Sequence, residues 1–163
     1  MNTVKINRTL QDGTYLLEEI FEGLKDVEVL LQIFETTKEL DDVFSRTKVM
    51  VDVHGHYMHV KNDDATIIIG TDHLKKSDKI ILYLDIVHEL VHVKQQRQGF
   101  DLYDKSYSYV DRPTEIEAYA IAVDEAKRLG MKDDEIFDYL HVEWITQEEH
   151  KRLASNIGLI YQK

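Results

Sequence analysis

The chain has 163 residues, 43% of them hydrophobic and 31% charged, with a net charge of −11 and no cysteine. This size and balance predict one globular domain with a real core. The acidic excess disfavours nucleic acid and anionic membranes as partners. The missing cysteine excludes a disulfide framework, a thiol nucleophile and thiolate-bound zinc.

From about Thr14 to Val43, apolar residues recur every three or four positions: Leu16, Leu17, Ile20, Phe21, Leu24, Val27, Leu30, Leu31 and Phe34. That period predicts helix, with Gly23 and Asp26 as a point of division into two. Such helices either pack as core or shield a site. The period then becomes two. Residues 48–53 and 57–60 alternate around His54-Gly55-His56, which suits a tight turn, and Asn62-Asp63-Asp64 makes a second turn before Ala65-Thr66-Ile67-Ile68-Ile69. The expected arrangement is a three-stranded antiparallel meander. A long helix follows from about Ser77 to Gln98, with Ser77 as its N-cap, Asp78 complementing the helix dipole and Gly99 past its end. Its stretch Ile80–Val87 is apolar almost all round, as in a buried helix. A tyrosine-rich loop (Phe100, Tyr103, Tyr107, Tyr109) leads to Pro113, which opens a helix to about Leu129 that Gly130 ends. Another helix runs from Asp133 or Asp134 to about Trp144, with Leu140, His141, Val142 and Trp144 expected in the core. Thr146 and Glu149 form a capping box for a last helix. Helices, a small sheet and closing helices make an α+β fold. The organisation is a single domain over 1–163: a helical N-terminal segment (1–45), a core (47–130) and a C-terminal helical segment (131–163).

The chemistry sits on the long helix. His88-Glu89-Leu90-Val91-His92 is an H-E-x-x-H pentad. Imidazoles four residues apart lie one above the other on a helix, within reach of one Zn²⁺, with Glu89 beside them to handle a proton. Buried, these groups need partners, and a metal supplies them. A catalytic zinc takes three protein ligands and leaves a position for water. A third histidine in the H-E-x-x-H-x-x-G-x-x-H pattern is ruled out, because Gln95 and Gln98 stand where Gly and His are required. A carboxylate from the next helix remains. Glu115 and Glu117 both qualify by position, but two residues apart they cannot share a face. Glu115 lies with Ala118, Tyr119, Ala122 and Ala126 on a small apolar face suited to packing on the pentad helix. Glu117 lies with Ile121, Asp124 and Arg128 on a more polar one. Packing favours Glu115.

The pentad together with Pro113-Thr114-Glu115-Ile116-Glu117-Ala118 resembles the gluzincin class of zinc metallopeptidases. It is most similar to minigluzincins, phage-immunity-type peptidases and the catalytic domains of membrane prenyl-protein peptidases. The resemblance covers about residues 47–130 and is specific only at the two motifs. It implies a zincin-like fold and a zinc endopeptidase acting on peptides or proteins; the cytoplasm is the expected location on the separate ground that the N-terminus lacks an apolar signal core. The ligands it implies are His88, His92 and Glu115, with Glu89 as general base. It also implies an exposed edge strand that pairs with extended substrate, for which Ala65–Ile69 is the expectation. In that class an Asp or Asn often stands four residues after the ligand glutamate. Here Tyr119 does, so Asp85 or Asp124 is the expected support for a ligand histidine. Tyr107, Tyr109 and His141 are oxyanion donors by residue type alone. Activity is expected to fall in acid as the histidines protonate.

A second metal site at His54, His56 and His59 with Asp52 nearby is weaker than surface chemistry in a solvated turn. His73 and His150 carry no pattern. The alternative to an active peptidase is a latent or inactive zincin-fold regulatory protein, with Thr146–Lys163 lying over the cleft. The N-terminus lacks an apolar signal core and no run is long enough to span a membrane. Substrate specificity and oligomeric state are not legible in the chain.

Overall fold

The computed structural model describes residues 3–160. The fold is α+β. Eight α-helices, a two-stranded antiparallel sheet and a four-stranded mixed sheet are formed among these residues. In chain order they are β1 (Lys5–Ile6), β2 (Gly13–Leu16), α1 (Leu17–Ile20), β3 (Phe21–Glu22), α2 (Leu30–Ile33), α3 (Thr37–Arg46), β4 (Lys48–Asp52), β5 (Met58–Val60), β6 (Ile67–Gly70), α4 (Thr71–Lys76), α5 (Lys79–Arg97), α6 (Pro113–Arg128), α7 (Asp133–Tyr139) and α8 (Gln147–Asn156). Among the described residues no helix is long and apolar enough to cross a membrane.

The N-terminal third departs from the expected pair of helices. Residues 13–16 form a strand on β4, and only single helical turns follow until α3. Leu17, Ile20, Phe21, Leu24, Leu30 and Phe34 are all fully buried. Their spacing is met by short turns folded over the core as well as by one continuous helix. Gly23, at φ +82°, breaks the run: a Cβ there would stand 2.8 Å from the Thr3 carbonyl oxygen.

The sheet also differs from a meander. Its order is β2-β4-β6-β5, with β4 and β6 parallel (Val49 opposite Ile67) and β5 antiparallel to β6 (Met58 opposite Ile69). The chain passes from β4 to the sheet edge as β5 and returns between them as β6. Burial explains the choice. Every residue of β6 is buried, as a central strand requires, whereas β5 alternates with His59 exposed. The return is tight. Gly55 and Gly70 touch through their backbones, and a Cβ on Gly70 would stand 2.5 Å from the Gly55 oxygen.

α5 lies in the middle of the domain. Leu82, Tyr83, Leu84, Ile86, Val87 and Leu90 are fully buried, so the helix is apolar on all sides because it is covered on all sides. Its N-cap is Asp78; Ser77 instead closes the preceding α4, which the sequence period did not separate. α6 packs against α5 through Ala118, Ala122 and Ala126, all buried and small enough for close approach. α7 ends at Tyr139, before the expected Trp144, and α8 starts at the Thr146–Glu149 capping box. Leu140 is buried, but His141 and Trp144 are exposed; Trp144 is 56% accessible rather than core.

Candidate metal centre

The packing of α6 on α5 brings three side chains together. His88 and His92, one turn apart on α5, place their Nε2 atoms 3.0 Å apart. Glu115, in the first turn of α6, sets Oε2 3.2 Å from His88 Nε2 and 3.4 Å from His92 Nε2. All three residues are buried, and one ligand-capable atom from each lies within 4.8 Å of the others. This is the expected trio. Glu117 is exposed on the far side of α6 and takes no part.

The group is suited to hold a metal ion. Two imidazoles and a carboxylate form a donor set that catalytic zinc accepts. The polar atoms are also unsatisfied by the protein alone: His88 Nδ1, Glu89 Oε2 and Glu115 Oε2 are buried without hydrogen-bond partners. Each such atom costs about 1–3 kcal/mol if left so. A cation among the three donors removes part of that cost.

The electrostatics divide the two glutamates. Burial pushes the Glu115 carboxyl up, but His88 and His92 outweigh it and hold the group well below the usual carboxylate range. The reciprocal effect acts on His92: burial lowers it, Glu115 raises it, and the net value is about 9. Glu89 moves the other way. Its burial dominates over the pull of His88 and His92, so it is raised and its carboxylate is the more basic of the two.

The orienting contacts are not the expected ones. Asp124 is exposed. Asp85 accepts from His73 Nε2 at 2.7 Å and from the Tyr139 hydroxyl at 3.2 Å, and bonds to neither His88 nor His92. Gln95 supplies the support instead. Its Oε1 lies 2.7 Å from His92 Nδ1, and its amide nitrogen donates to the Thr114 carbonyl at 3.0 Å. The signal was its place three residues after His92 on the same helix face. Tyr119 fills the space by His88 with its ring, the centroids 4.3 Å apart.

The centre opens into a cleft of about 630 Å³. Along one side runs β5, which is an edge strand; the anticipated Ala65–Ile69 strand is interior and has no free edge. Because Tyr57 and Lys61 carry the backbone bonds to β6 that flank it, the main chain of Met58 and Val60 faces away from the sheet. Val60 oxygen accordingly accepts from the Tyr103 hydroxyl at 2.6 Å. Tyr139, His141 and Trp144 also line the cleft. Residues 145–160 contribute nothing to it, so the described part of the C-terminal tail does not cover the cleft; 161–163 lie outside the described residues.

Of the expected oxyanion donors, Tyr109 and His141 line the cleft and Tyr107 does not. Sequence reasoning missed His73, Tyr103, Arg112, Tyr119 and Tyr139, all of which line it. Tyr109 and Tyr119 share a hydroxyl–hydroxyl bond of 2.7 Å, and burial above all raises both phenols well above their ordinary value. Burial, then Glu89 and Glu115, raises Tyr103 to about 12. These phenols are therefore protonated donors at neutral pH. His54, His56 and His59 gather no metal group; among the described residues the only such cluster of three is His88, His92 and Glu115. His150 packs on Phe137 with its ring centroid at 3.9 Å. Comparison of the chain with protein-family models, with curated proteins and with solved structures gives no match.

Proposed function

We propose that this chain is a zinc-dependent peptidase of the gluzincin kind. The observation that carries the reading is the buried trio of His88, His92 and Glu115 with Glu89 beside it, at the floor of a cleft bordered by an edge strand. The sequence resemblance at the two motifs points the same way.

His88, His92 and Glu115 hold the ion. Bound there, Zn²⁺ supplies Lewis-acid polarisation of a water and of the scissile carbonyl. Glu89, kept basic by burial, takes the proton of the attacking water and returns it to the leaving amine. Gln95 accepts from His92 Nδ1–H and so leaves the Nε2 lone pair free for the ion. The outward main chain of Met58 and the N–H of Val60 pair with an extended peptide, the Val60 oxygen being held by Tyr103. Of the hydroxyl pair of Tyr109 and Tyr119, one proton bridges the two oxygens and the other is left to donate to charge that develops on the carbonyl oxygen.

The test joins metal content to turnover. Purified protein, reloaded with zinc, is expected to bind one equivalent and to cleave members of a random peptide library. Glu89→Gln is expected to keep the zinc and lose the cleavage. A protein that retains no stoichiometric metal after reloading would refute the reading.

A further inference from the structure

Among the described residues, one cation in the cleft has no hydrogen-bonded counter-ion. Arg112, the N-cap of α6, lines the cleft with its side chain only 13% exposed. Its Nε is buried without a hydrogen-bond partner. The nearest carboxylate oxygen is Glu115 Oε1 at 4.0 Å, beyond hydrogen-bond length, and Glu115 is already committed to His88 and His92. Its other neighbours are two tyrosine rings, Tyr103 and Tyr109, whose centroids lie 6.0 and 5.9 Å from the guanidinium carbon. Cation–π contact of that kind recovers only about 0.5–2 kcal/mol. A desolvated charge without a hydrogen-bonded counter-ion costs more than that. The guanidinium thus lines the cleft beside two aromatic rings, with no protein acceptor within hydrogen-bond distance.

We infer that Arg112 is the receptor for a carboxylate of the substrate. A planar fork of N–H donors matches a carboxylate in two parallel bonds, which a lysine in the same place does not reproduce. Arg112 stands one helical turn before Glu115, so a carboxylate on it belongs to a residue next to the reacting bond. The chain as a whole carries −11 charge. Its long-range field therefore repels anions, and selection for this group comes from Arg112 itself and not from steering. A free C-terminal carboxylate and the side chain of Asp or Glu offer the same chemistry. This inference rests on the peptidase reading and names its substrate class.

The experiment uses two matched pairs of blocked peptides on the zinc-loaded protein. In one pair the C-terminus is free or amidated. In the other an internal Glu is present or replaced by Gln, both amidated. The expected result is a kcat/KM ratio of roughly tenfold or more in favour of the carboxylate member of one pair; which pair identifies the source. Arg112→Met, which keeps the bulk between the rings, is expected to bring that ratio to about one, and Arg112→Lys to keep part of it. Equal rates within both pairs for the unaltered protein overturn the inference. So does an Arg112→Met variant that slows all four peptides by one common factor, because that is the signature of a residue that only supports Glu115. If no peptide is cleaved, the peptidase reading has failed separately, and calorimetry decides the carboxylate question. N-acetyl-Leu-Phe and its amide, and N-acetyl-Glu-Phe-amide and its Gln counterpart, are titrated into the metal-free chain and into its Arg112→Met variant. Roughly tenfold tighter binding of the carboxylate member of one pair, lost in Arg112→Met, upholds the role of Arg112; equal binding within both pairs, or a preference that survives in Arg112→Met, removes it.

Discussion

Gln95 Oε1 sits 2.7 Å from His92 Nδ1 while the same side chain donates to the carbonyl of Thr114, the residue before Glu115. One amide therefore orients His92 on α5 and ties that helix to the start of α6, where Glu115 is held. The amide orientation follows from the network, since the Thr114 oxygen accepts only from a nitrogen.

Gln95→Leu is expected to weaken zinc binding by about 10- to 100-fold, the usual consequence of removing a group that orients a metal-ligating imidazole. Gln95→Glu, which keeps an acceptor for His92, is expected to retain more affinity than the leucine variant. Competition against a chromogenic chelator measures both. Equal affinity in all three proteins would sink the assignment.

The two candidate carboxylates separate by substitution. Glu115→Gln is expected to lose stoichiometric zinc, whereas Glu117→Gln, altering an exposed side chain, is expected to load fully and to cleave peptides as before. Glu89→Gln belongs to neither class: metal retained, and turnover down by about 10²- to 10⁴-fold. Elemental analysis alongside a peptide assay distinguishes the three.

How far the sequence carried depends on which residues are asked about. His88, His92 and Glu115 were legible because helical spacing and the small residues of α6 force their meeting once α5 is buried. Gln95 was legible only as a failed glycine in another ligand pattern, and its actual work needed the second helix in place. The strand order was not legible. Three apolar segments in a row are compatible with a meander, and only the burial of both faces of Ile67–Gly70 puts that strand in the middle. The N-terminal period misled because the apolar residues there are buried in helical turns and strands alike. Arg112 and the tyrosines gave no spacing signal, since they come from a loop, a helix cap and two different helices.

Glu125 offers a pH test away from the metal centre. Its side chain is 2% exposed and accepts from the Tyr83 hydroxyl at 2.6 Å and from Arg128 at 2.6 and 2.7 Å. Burial opposes the charge, but Arg128 and Tyr83 outweigh it and lower the pKa from 4.5. A carboxylate depressed in the native state binds protons more readily when unfolded. The stability it contributes is full above the unfolded value near 4.5 and is lost as pH falls toward the native one. Glu125→Gln is expected to flatten the acid limb of a melting-temperature profile, and Tyr83→Phe to cost about 1 kcal/mol at neutral pH. An unchanged acid limb in Glu125→Gln would contradict that sign.

Gly70→Ala tests the crossing that sets β5 at the cleft edge. The added methyl would press on the Gly55 backbone at 2.5 Å, where no side chain can swing away. A loss of about 2 kcal/mol or more in chemical denaturation is expected. Stability equal to that of the parent would mean the turn at 53–57 gives way freely.

The exposure of Trp144 on the cleft lining, instead of in the core, has a practical side. It is the sole tryptophan of the chain, and its ring lies 6.1 Å from that of Tyr57 and 5.5 Å from that of Tyr109. The molecule therefore carries one native fluorophore, on the lining of the cleft. Its emission reports occupancy of that space without any label.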